Sequence, residues 1–180
     1  LNPAEQVVEP GAVATVRFTV TVPKDVADGG YRSAVMFEFD PPGADPAARA
    51  RDVMFRGRVA TVVYATVGKP VPNLELTDLQ VRTVPGRPPV VVPTLHNVGK
   101  ANVRTSGTLM VYAASGTVVR ELSIPNVPVL PESDREIAIP LWGDDGQAPL
   151  MPGSYRVEIR IDVGMPAVLV GETVLDIAAR

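Results

Sequence analysis

Strict alternation of apolar and polar side chains limits what this 180-residue chain can fold into. Over residues 155–163, Tyr155, Val157, Ile159, Ile161 and Val163 alternate with Arg156, Glu158, Arg160 and Asp162. A period of two sends one set to each face of a β-strand, so one face meets a core and the other meets water. Residues 13–22 repeat the pattern, with Ala14, Val16, Phe18, Val20 and Val22 against Thr15, Arg17, Thr19 and Thr21. Residues 31–39 do so again, with Tyr31, Val35, Phe37 and Phe39 opposite Arg32 and Glu38. Further strands are expected over residues 53–67, 74–84, 90–97, 103–113, 117–124, 135–142 and 167–177. Turn signals such as Pro85-Gly86, Asn97-Val98-Gly99 and Ser115-Gly116 separate them. With 19 Pro and 15 Gly, long helices have little room. The only helix-compatible stretch, residues 45–51, is short and follows two prolines. An all-β chain is expected.

The valine-rich residues 59–67 are apolar on both faces, and Gly68-Lys69-Pro70-Val71-Pro72 follows them. Two prolines in three residues make a stiff linker, which places a first domain over residues 1–68, a linker over 69–72 and a second domain over 73–180. An internal echo supports the division. Pro10-Gly11, an alternating strand and Gly30-Tyr31-Arg32 recur later as Pro131-Glu132, an alternating strand and Gly153-Ser154-Tyr155-Arg156. Each unit matches the E–F portion of an immunoglobulin-like sandwich, with Tyr31 and Tyr155 where a tyrosine corner occurs. The expected architecture is therefore two tandem immunoglobulin-like β-sandwich domains joined by a Pro-rich linker. By comparison with the second unit, the first lacks opening strands worth roughly 40–50 residues. Those strands are either cut away or supplied by another chain, and a sheet without them has open edges and an uncovered apolar face.

The chemistry-bearing residues are few. With no Cys and one His, thiol catalysis, disulfide scaffolds and zinc fingers are excluded. A net charge of −3 argues against a nucleic-acid surface, and no apolar run is long enough for a membrane span. His96, beside Asn97-Val98-Gly99, reads as a turn-side hydrogen-bonding group, and no Gly-x-Ser-x-Gly elbow accompanies it. Asp144-Asp145-Gly146 has too few oxygen ligands after it for a calcium loop and reads as a hairpin turn. Trp142 is expected to pack over the end of the second core. No catalytic residue, cofactor or metal site is expected. The densest positive cluster, Arg49, Arg51, Arg56 and Arg58, follows the loop that begins at Asp40 and is a candidate docking loop for an acidic partner.

Several features occur in a telling order. A Pro10-Gly11 turn precedes Arg17 within a Val/Phe strand, then Val22-Pro23-Lys24-Asp25 leads into a turn. The strand over residues 31–39 ends in Asp40-Pro41-Pro42, and after a variable loop residues 53–64 run into the linker. On these features residues 1–67 resemble the latter part of the first domain of PapD-like periplasmic pilus-assembly chaperones. The resemblance implies a non-enzymatic protein of the periplasm or cell surface with a chaperone-like role in pilus or surface assembly. It implies that the last strand of the first domain pairs with a protein subunit, or with another immunoglobulin-like domain, by strand addition. Val53, Phe55, Val59 and Val63 are the matching partner-binding positions. Thr61 lies where the family carries a basic anchor for the subunit's terminal carboxylate, and Ala27-Asp28-Gly29-Gly30 replaces its acidic-arginine pair. A structural spacer in a surface fibre, adhesin or envelope machine is the alternative.

Overall fold

The computed structural model describes residues 3–39, 57–142 and 148–178. Its strands are β1 (Gly29–Phe39), β2 (Gly57–Val67), β3 (Leu74–Arg82), β4 (Val90–Asn97), β5 (Val103–Arg104), β6 (Ser106–Tyr112) and β7 (Val118–Ser123). They are followed by β8 (Pro128–Val129), β9 (Ser133–Glu136), β10 (Ile139–Pro140), β11 (Gly153–Asp162) and β12 (Leu169–Ile177). There is no helix among the described residues, and so none long and apolar enough to cross a membrane. The helix-compatible residues 45–51 and the turn at Asp144-Asp145-Gly146 lie outside the described residues.

From Leu74 onward the longer strands build two facing sheets, consistent with a β-sandwich. One runs β10-β4-β3, with β9 also on β4, and the other runs β12-β11-β6-β7, while β5 pairs with β8 in a small two-stranded sheet. Alternation explains how they close on each other. Val157, Ile159 and Ile161 of β11 are completely buried, as are Leu109 and Val111 of β6 and Leu95 of β4. Apolar area withdrawn from water is the main driving force for such a core. Trp142 packs at its margin, as its position in the sequence suggests.

Two expected strands break in the middle. Residues 103–113 divide at the buried Thr105, whose N–H donates to the Val127 carbonyl at 3.1 Å while its hydroxyl reaches the Pro125 carbonyl at 2.7 Å. Residues 135–142 divide at Ile137, whose N–H leaves the ladder for the Pro93 carbonyl at 3.1 Å. Pro93 lacks an N–H to give to a neighbour. Beside it the pairing of β3 and β4 shifts by one residue between Leu76 and Asp78.

β1 and β2 form a separate two-stranded antiparallel ribbon, in register from Gly29↔Val67 to Phe39↔Gly57. Its lower end meets the 99–102 turn, where the Gly30 N–H donates to the Lys100 carbonyl at 2.6 Å. A Cβ at Gly30 would lie 2.6 Å from Asn102 Cγ, so the close approach requires glycine. Residues 68–73 then lead to β3. Gly68 takes a left-handed φ of 66°, and the Lys69 N–H donates to Asp28 Oδ2 at 3.2 Å.

The expected strand over residues 13–22 does not form as a ladder. The stretch contains one isolated bridge, at Arg17, and is otherwise without regular pairing. The physical reason lies in its surroundings, because a strand is stable only when its main-chain groups have a neighbour.

Candidate functional site

Opposed residues of an antiparallel pair point to the same face, so the ribbon register sorts its side chains. Tyr31, Ser33, Val35, Phe37 and Phe39 share a face with Val59, Thr61, Val63 and Ala65. Arg32, Met36 and Glu38 share the other face with Arg58, Val62 and Tyr64. The first face agrees with the alternation read over residues 31–39. Phe39 lies over Gly57, where an added Cβ would stand 1.9 Å from the ring, so the glycine makes room for the aromatic.

This apolar face is in water. Phe39 is 57% exposed and Val59 55%, whereas Val157 and Ile159 in β11 are 0% exposed. A cleft of about 360 Å³ separates it from the segment carrying Phe18 and Val20, with Tyr31, Val35, Val63 and Ala65 on its ribbon side. A second cleft of about 290 Å³ runs between residues 3–8 and the Val35–Phe39 end of β1. Among the described residues, every buried apolar residue of the core belongs to the chain from Leu74 onward.

The geometry of the echoed units defines what the ribbon lacks. Tyr31 is the third residue of β1, and its hydroxyl donates to the Ala27 carbonyl at 2.8 Å. Tyr155 is the third residue of β11, and its hydroxyl donates to the Met151 carbonyl at 2.7 Å. Each bond spans four residues backward. The echoed turns also match, with Gly11 at φ 78° and Glu132 at φ 54°, both left-handed. β1 therefore corresponds to β11, and β2 to β12. β11 is paired on both edges, by β12 and by β6, whereas among the described residues β1 pairs with β2 alone. Among the described residues, the edge that β6 occupies in one unit has no strand in the other.

The expected site residues divide accordingly. Val59 and Val63 lie on the apolar face of β2, Val59 exposed and Val63 half-buried at the cleft. Arg58 lies on the opposite face and pairs with Glu38 across the ribbon, its Nε 3.1 Å from Glu38 Oε2. Val53, Phe55, Arg49, Arg51 and Arg56 lie outside the described residues. The sequence placed the expected contact on the strand over residues 53–67 and on the arginines of the loop before it. In the structure Phe37 and Phe39 of β1 share the face of Val59 and Val63, and Phe18 lines the cleft with Val63; the signal for these aromatics was their own alternation.

Elsewhere the polar groups form structural pairs. His96 Nδ1 lies 2.7 Å from Asp134 Oδ1 on an exposed rung between β4 and β9, consistent with a hydrogen-bonding role. Glu158 on β11 accepts from Arg160 at 2.6 Å and from Arg156 at 3.0 Å, and these guanidiniums hold its carboxyl below its ordinary value. No group of three or more potential metal ligands gathers among the described residues. No protein-family model matches the chain, and no curated protein sequence matches it.

Proposed function

We propose that the chain is a non-enzymatic protein-binding module that takes up strands of another polypeptide at its ribbon. The role is chaperone-like, in the assembly of a pilus or other surface structure, and belongs to the periplasm or cell surface. One observation carries the reading. β1 and β2, eleven residues each, pair only with one another among the described residues and hold a row of aromatic and branched side chains in water. Their counterparts β11 and β12 sit over a filled core. Strand addition supplies what is missing. Main-chain hydrogen bonds along the open edges give affinity, and alternate side chains entering the clefts give selectivity. On this reading the chain is two immunoglobulin-like units joined at the Pro-rich residues 69–72, the first completed by its partner. A spacer in a surface fibre would instead call for β2 paired along both edges.

The test is co-purification from the native envelope, followed by amide exchange of the complex. The partner is expected to protect the outward amides of β1 or β2, and Val59→Lys is expected to abolish its retention while leaving the circular dichroism of the sandwich unchanged. A partner held equally well by Val59→Lys and Phe37→Lys, with ribbon amides exchanging as in the unbound chain, contradicts the proposal.

A further inference from the structure

The two sandwich sheets end in four edges, and three of these are blunted against pairing. β3 carries an extra residue at Thr77, and β7 an extra residue at Val119, each of which twists its strand out of a flat ladder. The edge beyond β4 consists of the four-residue β9 and the two-residue β10, which ends on Pro140. β12 is different. It runs in unbroken register with β11 from Gly153↔Ile177 to Ile161↔Leu169, contains neither Pro nor Lys, and pairs with no other strand among the described residues.

Its sequence is symmetric about Glu172. Leu169-Val170-Gly171 on one side is answered by Thr173-Val174-Leu175 on the other. Gly171, Thr173 and Leu175 alternate toward the interior, and a Cβ at Gly171 would stand 2.6 Å from Leu76 Cδ2, which explains the glycine. Val170 and Val174 face outward and are 53% and 60% exposed. We infer that β12 is a self-pairing edge, at which two copies of this chain join antiparallel about a two-fold axis through Glu172. A two-fold contact uses the same patch on both copies, so a strand with this symmetry is its own best complement. In that register Val170 of each copy meets Val174 of the other, and Leu169 meets Leu175. The two sheets of four strands become one of eight.

The unfavourable rung is Glu172 against itself, because like charges directly opposed destabilise a pair. Each carboxylate already has a cation beside it. Arg156 Nη1 lies 2.8 Å from Glu172 Oε1 and 3.0 Å from Glu158 Oε2, and the same guanidinium sits 4.0 Å over the Tyr112 ring of β6, which holds it in place. The contact is independent of the ribbon, which lies on other strands.

Sedimentation equilibrium of the full chain tests the inference. A monomer–dimer equilibrium is expected, at least tenfold weaker in the double variant Val170→Lys/Val174→Lys, because lysines on an edge strand block pairing. Phe37→Lys is expected to leave self-association unchanged, and the double lysine variant is expected to retain any partner of the ribbon. The inference is overturned if the unaltered chain stays monomeric to about 1 mM. It is also overturned if the lysine variant dimerises as before, or if Phe37→Lys abolishes self-association.

Discussion

Asn97 is completely buried and uses both ends of its amide. Its Nδ2 donates to the Ala101 carbonyl at 2.9 Å and the Val129 carbonyl at 3.1 Å, and its Oδ1 accepts the Gly99 N–H at 3.0 Å. Asn97→Ala strands buried main-chain groups, so urea unfolding is expected to find a loss of about 2–3 kcal/mol. The two corner tyrosines provide a sharper contrast. Tyr155→Phe removes a hydrogen bond at the edge of the filled core and is expected to lower stability by about 1 kcal/mol. Tyr31→Phe removes the same bond from the open ribbon and is expected to change global unfolding by less than about 0.5 kcal/mol. Equal losses in the two variants would mean that ribbon and sandwich unfold as one unit. Tyrosine position was legible in the sequence because the corner is a local, four-residue device. The role of Asn97 was not, since one of its acceptors comes from β8, far along the chain.

Among elements, alternation identified strands well wherever the sheet had one wet face. It failed where pairing depended on a distant neighbour. The ladder breaks at Thr105 and Ile137 are set by carbonyls of Val127 and Pro93, which no local pattern encodes. The segment over residues 13–22 has the alternation of a strand and lacks the ladder, because a hydrophobic period specifies a face and not a partner. Glu158 shows the same limit on a smaller scale. Alternation puts it on the water face of β11, yet it is only 6% exposed, because Arg156 and Arg160 lie over it from either side. Its carboxyl titrates below the ordinary 4.5 in the folded chain, first through Arg160 and then through Arg156. A depressed folded value means that its stabilisation is present above the unfolded value and lost as pH falls through the folded one. Thermal unfolding followed from about pH 6 to about pH 3 is expected to show falling stability, with a shallower fall in Glu158→Gln. Parallel curves for the two proteins would remove Glu158 from the account.

At the scale of the whole molecule, the chain couples a filled sandwich to a ribbon that, among the described residues, has no buried core of its own. Two strands alone are marginal in water, so the ribbon's contact with the 99–102 turn matters to its stability. The likeness of the two units was visible in the sequence, where Pro10-Gly11 and Tyr31 are echoed by Pro131-Glu132 and Tyr155. Which edge stands open was not visible, because it follows from matching β1 to β11 in space and finding β6 beside only one of them. The most direct measurement is residue-resolved amide exchange of the chain by itself. Alternate amides of β1, those directed away from β2, are expected to exchange near unprotected rates, while both sets of β11 amides exchange only through global unfolding. Protection of the outward β1 amides as strong as that of β11 would contradict the claim that the ribbon is an open strand acceptor.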